Sequence, residues 1–229
     1  LKAIKSILLQ IILPDQWIII EQSENSQSLN LTNKIGLKDK IDLTYILDPK
    51  ILGLVHAKHE SLKYARCDLV SFLEDDIVLE KNYFKEKKDA FKQFPNMLGC
   101  SGTIINATSE SFFYRIFYRL IHVGLFTDRR PDVYYKLNRG ILEYSSSNVI
   151  NGGLSSWKKS VFNEFKFDTL NNFHMLEDFE FSTRVNKKYP KSLFIISKAK
   201  LYHYVSPVNR DNINKAVERK TYEYVVFFK

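Results

Sequence analysis

The chain has 229 residues, 45% hydrophobic and 14% aromatic, so it can bury a sizeable core and is not a disordered protein. It has 34 basic against 26 acidic residues, and this net charge of +8 favours anionic partners without choosing among them. Its two cysteines, Cys67 and Cys100, suit neither a disulfide framework nor a zinc motif, which makes a reducing cytoplasm the default. The basic residues are dispersed and form no recognised nucleic-acid-binding motif, so nucleic acid is not expected as a partner.

The first half of the chain alternates predicted helices and strands. Apolar residues at helical spacing, from Leu1 to Ile11, predict that the sequence begins inside an amphipathic helix. Because an α/β domain usually places a strand before such a helix, we expect that a segment precedes it. Strands are predicted at 17–23 (fully buried), 41–47, 68–76 and 96–105, and helices at 56–65 and 81–94. This alternation predicts a doubly wound α/β sheet, which binds ligands at the carboxyl ends of its strands.

The second half of the chain has a less regular pattern of predicted elements. A helix is predicted at 111–126, a polar stretch at 127–148, a Gly-Gly turn and short helix at 149–168, a helix at 175–190, and one or two strands at 191–207. There are no internal repeats, low-complexity tracts or clear linkers, and no apolar run reaches the roughly 18 residues of a spanning helix. The sequence therefore predicts one domain.

Three carboxylates follow a predicted buried strand in "LVSFLEDDIVLE". Glu74, Asp75 and Asp76 repel one another and are costly to bury unpaired, so a positive partner is expected. Carboxylate oxygens are ligands that suit Mg²⁺ and Mn²⁺. The alternative is capping of the helix at 81–94, which explains one or two of the three. We favour a metal or nucleotide role.

Two further features, the Glu177–Asp178 pair and His203, each have both a structural and a functional interpretation. Glu177 and Asp178 open the helix at 175–190, where acidic residues are ordinary, but an Asp after a Gly-Gly turn could act as a general base. His203 is, by itself, more often a packed and hydrogen-bonded residue, although imidazole also binds divalent metals. At a late strand end it could complete a site begun by Asp76.

In chain order, five segments form a pattern: "WIIIEQSENS", "FLEDDIVLEKNYF", "GGLSSWKKSVFNEFKFD", "EDFEFSTRV" and "LYHYVSP". Together they resemble the GT-A glycosyltransferases, most closely the family 2 type, over residues 1 to about 207. The last four look like the DXD segment, glycine loop, xED motif and C-terminal His motif. The resemblance implies an α/β, Rossmann-like, mixed and mostly parallel sheet flanked by helices. It also implies one domain over 1–229, with a nucleotide-binding half (1–105) and an acceptor-side half (106–229).

The resemblance implies a role for each matching residue. Asp76 and His203 would bind Mn²⁺ or Mg²⁺, and Asp178 would be the catalytic base, with Glu177 helping to place the acceptor. The other implied positions are nucleotide contacts at Glu21, Ser23, Lys58, Glu74 and Asp75, and close backbone approach to donor and acceptor at Gly152 and Gly153. Glu21 and Glu74 stand where Asp is common, and Lys58 where Arg is frequent.

The resemblance implies transfer of a sugar from a nucleoside-diphosphate sugar to a saccharide or lipid-linked saccharide acceptor. The reaction would be metal-dependent and inverting, in bacterial surface polysaccharide synthesis, with the protein cytoplasmic or peripheral on the inner face of the cell membrane. Two alternatives stay open: a sugar nucleotidyltransferase, and a non-catalytic glycosyltransferase-like domain that binds a glycan or a protein.

The helix at 111–126 has two interpretations. Phe113, Ile116, Phe117 and Leu120 share one face, and arginines lie opposite. The favoured interpretation is a helix that covers the sheet with its arginines in solvent. The alternative is that residues 112–126 lie in a membrane interface.

Overall fold

The computed structural model describes residues 2–24, 27–107, 111–204 and 213–227. Its helices are α1 (Lys2–Leu8), α2 (Gln27–Lys34), α3 (Gly53–Ser61), α4 (Tyr83–Gln93), α5 (Phe112–Ile121), α6 (Arg130–Asn138), α7 (Val161–Glu164), α8 (Glu177–Lys188) and α9 (Ile213–Phe227). Its strands are β1 (Gln16–Glu21), β2 (Asp42–Leu47), β3 (Leu69–Ser71), β4 (Ile77–Leu79), β5 (Gly99–Ile104), β6 (Tyr144–Ser147), β7 (Ser155–Lys158) and β8 (Leu193–His203). Short 3₁₀ turns lie at Leu37–Asp39, Gly124–Phe126 and Gly152–Leu154.

The strands form a mixed sheet flanked by helices, which confirms the predicted fold class. β1 and β2 pair in parallel, and the larger sheet has the order β3-β7-β5-β8-β4, with β6 also on β8. In the larger sheet β5 and β8 are parallel, and the other described pairings are antiparallel. Because β4 runs against β8 and β3 runs with it, the chain reverses between β3 and β4. That reversal contains Glu74, Asp75 and Asp76, which explains why three carboxylates follow a strand without being buried in the core.

Two hydrophobic clusters lie against the larger sheet. One is rich in aromatic rings: Phe162 and Phe167 both stack on Phe181, which also meets Trp157 edge-on at 5.0 Å. The other surrounds Tyr83, which is fully buried beside β4, β5 and β8. Aromatic pairs of this kind stabilise a core beyond the area that they bury. These clusters hold the strand ends that carry the acidic residues.

Several predicted elements are found close to their predicted positions. The helices at 81–94 and 175–190 are α4 and α8, and the strands at 41–47 and 96–105 are β2 and β5. Residues 205–207, the end of the last motif, lie outside the described residues, as does Leu1.

Other expectations need correction. The strand at 17–23 is not fully buried: β1 is half-buried throughout, and among the described strands it pairs with β2 alone. The stretch 127–148 is not merely polar, because it contains α6 and β6. In α6 the buried residues are Val133 and Leu137, an i,i+4 pair that was obscured by the polar residues around it. Helices α2 and α9 were not predicted.

The helix at 111–126 forms as α5 but does not cover the sheet, so the favoured interpretation was wrong. The side chains of Phe113, Phe117 and Leu120 are each more than 60% exposed. Among the described residues, none of the helices combines the length and apolar character required to cross a bilayer.

Candidate active site

Glu74, Asp76 and His203 meet where the β3–β4 reversal approaches the end of β8. His203 Nε2 lies 3.1 Å from Glu74 Oε2 and 3.0 Å from Asp76 Oδ1. One ligand atom from each residue fits within 4.8 Å of the others. The antiparallel register pairs Ile77 with His203, and the Tyr204 N–H donates to the Asp76 carbonyl at 2.8 Å. Strand pairing therefore brings together residues that are more than a hundred positions apart in sequence.

This donor set is suited to a divalent cation. Carboxylates and an imidazole are ligands that Mn²⁺ accepts, and one imidazole nitrogen already points at both carboxylates. Burial raises the pKa of Glu74; the nearby His203 opposes that rise and Asp76 adds to it. A bound cation would relieve the repulsion between the two carboxylates. Asn106, which the sequence reasoning missed, exchanges two hydrogen bonds of 2.9 Å with the His203 backbone and so holds the strand end.

The Gly-Gly turn lies between the two acidic clusters. A Cβ added to Gly153 would overlap the Glu74 carboxylate, and one added to Gly152 would overlap that of Glu177. The Glu74 N–H also donates to the Gly153 carbonyl at 3.2 Å. Both glycines are thus needed because carboxylates occupy the space of their missing side chains. The predicted close approach to donor and acceptor stays a prediction.

Glu177 forms a buried ion pair with Lys58. The Lys58 Nζ lies 2.5 Å from Glu177 Oε1, and both side chains are almost fully buried. The ammonium also lies over the rings of Phe72 and Phe167, at 5.5 and 6.0 Å. Burial raises the pKa of Glu177, and the adjacent Lys58 ammonium opposes that rise. The structure therefore pairs Lys58, which was predicted to contact the nucleotide, with Glu177, which was predicted to help place the acceptor.

Asp178, the predicted base, is held by Arg130. The Arg130 Nη1 donates to Asp178 Oδ2 at 2.5 Å and to Asn151 Oδ1 at 3.2 Å. The other guanidinium nitrogens of Arg130 donate to Asp128, whose side chain is 3% exposed. Sequence reasoning noticed "DRRP" only as basic charge near the amphipathic helix. The closeness of Asp128 and Arg130 in the sequence could have indicated an ion pair, but the contact between Arg130 and Asp178 depends on the fold.

A cavity of about 200 Å³ joins these groups. Residues from both acidic clusters and from the turn between them line it: Glu74, Gly152, Gly153, Glu177, Asp178 and His203. His174 and Met175, which sequence reasoning also missed, form another part of its wall. The cavity therefore brings Glu74 and His203, two of the three candidate metal ligands, into one space with Asp178, the predicted base.

The remaining predicted residues lie outside the cavity lining. Glu21 ends β1, and the Ser23 N–H donates to its Oε1 at 3.0 Å. A hydrogen bond from the Ser28 side chain is the largest cause of the lowered pKa of Glu21. Asp75 is exposed at the tip of the β3–β4 reversal. Glu21 and Ser23 thus form a local pair, and their contact with a nucleotide stays a prediction.

Glu223 on α9 supports the segment before Asp178. Its carboxylate accepts hydrogen bonds from the backbone N–H groups of His174, Met175 and Leu176, at 2.9, 2.8 and 2.9 Å. The rings of Tyr224 and Phe227 pack edge-on against Phe179, with centroids 5.9 and 5.7 Å away. Glu223 therefore holds part of the cavity wall in place, although it lies 47 to 49 residues from the amides that it binds.

No protein-family model and no curated protein matches the sequence. Solved structures do match. The mannosyltransferase PcManGT from Pyrobaculum calidifontis, in complex with GDP-Man and Mn²⁺, aligns over 98% of this chain and 57% of its own, with a TM-score of 0.65 and 13% identity. TarS 1–349 from S. aureus aligns over 90% and 56%, with a TM-score of 0.59 and 15% identity.

GalNAc-T7 with UDP, GalNAc and Mn²⁺ aligns over 97% of this chain and 46% of its own, with a TM-score of 0.68 and 14% identity. The chain thus spans about half the length of the structures that it resembles. A likeness at this level of identity is a likeness of fold. The chain has the GT-A fold that its ordered motifs predicted.

Proposed function

We propose that this protein is a glycosyltransferase that uses a nucleoside-diphosphate sugar and a divalent metal ion. The observation that carries the proposal is the shared cavity, which is lined both by Glu74 and His203 of the candidate metal-binding set and by Asp178. Support also comes from two of the solved structures with this fold, which contain Mn²⁺ with GDP-Man or with UDP and GalNAc.

In the proposed reaction Asp178 removes the proton from an acceptor hydroxyl. The hydroxyl oxygen forms a bond to the anomeric carbon while the bond to the diphosphate oxygen breaks, and that electron pair leaves with the diphosphate. A single displacement of this kind inverts the anomeric centre. Asp76 and His203, with Glu74 beside them, would hold the metal ion, which when bound supplies positive charge to the leaving group.

The other predicted residues have supporting roles in this proposal. Glu21, Ser23 and Asp75 contact the base, ribose or metal shell, and they lie at strand ends, where ligands of doubly wound sheets bind. Lys58 acts through its ion pair with Glu177, which in turn helps to place the acceptor.

We propose a family 2-like organisation, with residues 1–105 as the nucleotide-binding half and 106–229 as the acceptor-side half. The acceptor is a saccharide or a lipid-linked saccharide, in bacterial surface polysaccharide synthesis. A lipid-linked acceptor would bring this cytoplasmic protein to the inner face of the cell membrane.

One observation favours a second candidate, a glycosyltransferase-like domain that binds its ligands without turnover. The predicted base already accepts a hydrogen bond at each carboxylate oxygen, from the Arg130 guanidinium at 2.5 Å and from the Phe179 N–H at 2.7 Å, so an acceptor hydroxyl would have to compete with both donors. In this candidate the metal and nucleotide still bind, and no sugar is transferred.

Calorimetric titration tests the proposal. The protein is titrated with UDP, GDP, dTDP and CMP, each with and without Mn²⁺, alongside Asp76→Ala. Glu80→Ala is the matched control, because Glu80 is exposed a few residues further along the same segment. We expect one nucleotide to bind only with Mn²⁺ and intact Asp76. Binding without transfer of the matching sugar to any acceptor would select the second candidate, and failure of every nucleotide to bind in a metal-dependent manner would contradict both.

A further inference from the structure

Helix α5 presents an apolar face to solvent. Five large apolar side chains on it are between 42% and 80% exposed: Phe112, Phe113, Ile116, Phe117 and Leu120. At about 100° per residue they fall on one arc of about 140°, which is a continuous stripe along the helix. Exposed apolar patches of this extent on a soluble protein mark sites of interaction. We refer to these five residues as the α5 face.

The opposite side of α5 is anchored, so this orientation is held by specific contacts. The Tyr118 hydroxyl donates to Asp128 Oδ2 at 3.0 Å, and Arg119 Nε donates to Asp132 Oδ2 at 2.7 Å. The Arg115 guanidinium lies 3.4 Å from the centre of the Tyr135 ring, and its side chain is 11% exposed. Rotating the α5 face inward would break all three contacts and leave Asp128 and Asp132 without these partners on α5. The outward face is therefore a feature of the fold.

The surroundings of the α5 face are basic. Residues 111–140 contain six basic and two acidic residues. Both acidic side chains form ion pairs with arginines: Asp128 with Arg130, and Asp132 with Arg119. Four of the six cationic side chains are exposed: Arg119, which is 64% exposed, and Arg129, Lys136 and Arg139. An apolar stripe with a positively charged rim is the surface that binds anionic lipids.

We propose that the α5 face docks onto an anionic membrane surface, with its phenylalanine and leucine side chains among the lipid chains and its rim at the phosphates. A second copy of the chain fits less well, because a two-fold contact would place each basic rim against the other. A polyanion such as nucleic acid would leave the apolar stripe in water. Docking does not depend on the transferase proposal, although it suits a lipid-linked acceptor.

The α5 face also connects to the candidate active site. Tyr118, on the anchored side of α5, bonds Asp128, Asp128 bonds Arg130, and Arg130 bonds Asp178. Three polar contacts therefore separate the docking helix from the predicted base. Lipid binding that fixes α5 would also fix the position of Asp128 in this series.

Sedimentation with vesicles tests the proposal. The purified protein is mixed with vesicles of phosphatidylcholine alone or of phosphatidylcholine with phosphatidylglycerol, at low and high salt. The test variant is the triple change Phe113→Ser, Phe117→Ser and Leu120→Ser, and Leu170→Ser is the control, because Leu170 is 96% exposed and lies outside α5. We expect salt-sensitive binding to anionic vesicles, weakened at least tenfold in the triple variant and about twofold in Arg119→Gln, and unchanged in the control.

Two results would overturn the proposal. One is a wild-type protein that stays in the supernatant with anionic vesicles, and the other is a triple variant that binds them as well as wild type does. If the α5 face instead mediates dimerisation that the triple variant abolishes, without vesicle binding, the partner is a second copy. Titration of the triple variant with Mn²⁺ and nucleotide is a separate readout, so failure of lipid docking and failure of the transferase proposal are distinguishable.

Discussion

Arg130 joins two aspartates: one side of its guanidinium binds Asp128, and Nη1 donates to Asp178 at 2.5 Å. Asp178 also accepts the Phe179 N–H at 2.7 Å through its other oxygen. Both oxygens of the predicted base therefore have defined positions at the cavity wall. Because a base acts only from a defined position, this pairing is a candidate determinant of activity.

Arg130→Lys keeps the charge but loses the planar fork that holds both carboxylates. We expect the free energy of unfolding to fall by about 1–3 kcal/mol and sugar transfer to fall at least tenfold, because Asp178 loses its orientation. Metal-dependent nucleotide binding stays unchanged, since Arg130 contacts none of the metal-binding set. Arg129→Lys, next to it and exposed, is the control. Transfer by Arg130→Lys at the wild-type rate would show that Arg130 does not position the base.

Gly153→Ala places a methyl group where the Glu74 carboxylate lies. We expect a loss of about 1–3 kcal/mol in stability and weaker Mn²⁺ binding, because Glu74 must move away from His203. Thermal unfolding and Mn²⁺ titration measure the two effects. In the double variant Gly153→Ala/Glu74→Ala the stability cost of the alanine should disappear, since the residues are in contact and their effects are not additive. An additive double variant would contradict this account.

Lys87 is fully buried, donates to the Leu154 carbonyl at 2.7 Å and to Ser156 Oγ at 3.0 Å, and has a pKa that burial lowers to about 8. Between about pH 8 and the usual lysine pKa, the unfolded chain binds more protons at this residue than the folded one. Its contribution to the free energy of unfolding therefore rises with pH across that window, by about 3 kcal/mol in total.

Burial raises the pKa of the Cys100 thiol to about 11, so this group lowers the free energy of unfolding as pH rises. The test therefore compares wild type with a variant that keeps Cys100 and lacks Lys87. Denaturant unfolding of wild type and of Lys87→Met is measured from pH 7.5 to about 10.5. We expect the stability of wild type relative to Lys87→Met to increase with pH, whereas the exposed Lys88→Met should run parallel to wild type. A pH-independent difference for Lys87→Met would contradict the lowered pKa.

Glu223→Gln removes the negative charge that accepts three backbone N–H groups before Asp178. The cost should be about 1–3 kcal/mol, because one of the two acceptor oxygens becomes an NH2 group that cannot accept a hydrogen bond, and the remaining oxygen is uncharged. Amide hydrogen exchange of residues 174–176 should become faster, while Mn²⁺ binding is retained. Glu218→Gln, exposed on the same helix, serves as the control. Unchanged exchange at these amides would show that α9 does not hold the segment.

Local sequence was enough to predict the elements whose signals are local. The run before Glu74, the periodic helix that became α4, and the helix opened by Glu177 and Asp178 were all identified at or near their positions. The order of the motifs also predicted the fold. The fold prediction rested on the resemblance of those motifs to the GT-A glycosyltransferases, whereas the elements could be predicted because strand and helix periodicity acts over short stretches of chain.

Only the tertiary structure decided which residues that are distant in sequence contact one another. Lys58 reaches Glu177 across 119 positions and Arg130 reaches Asp178 across 48, and neither pairing has a signal in the intervening sequence. The amphipathic pattern of α5 predicted an apolar face but not what it faces. Periodicity predicts that apolar residues share one side of a helix, whereas the ion pair of Arg119 and the hydrogen bond of Tyr118 determine that this side points to solvent.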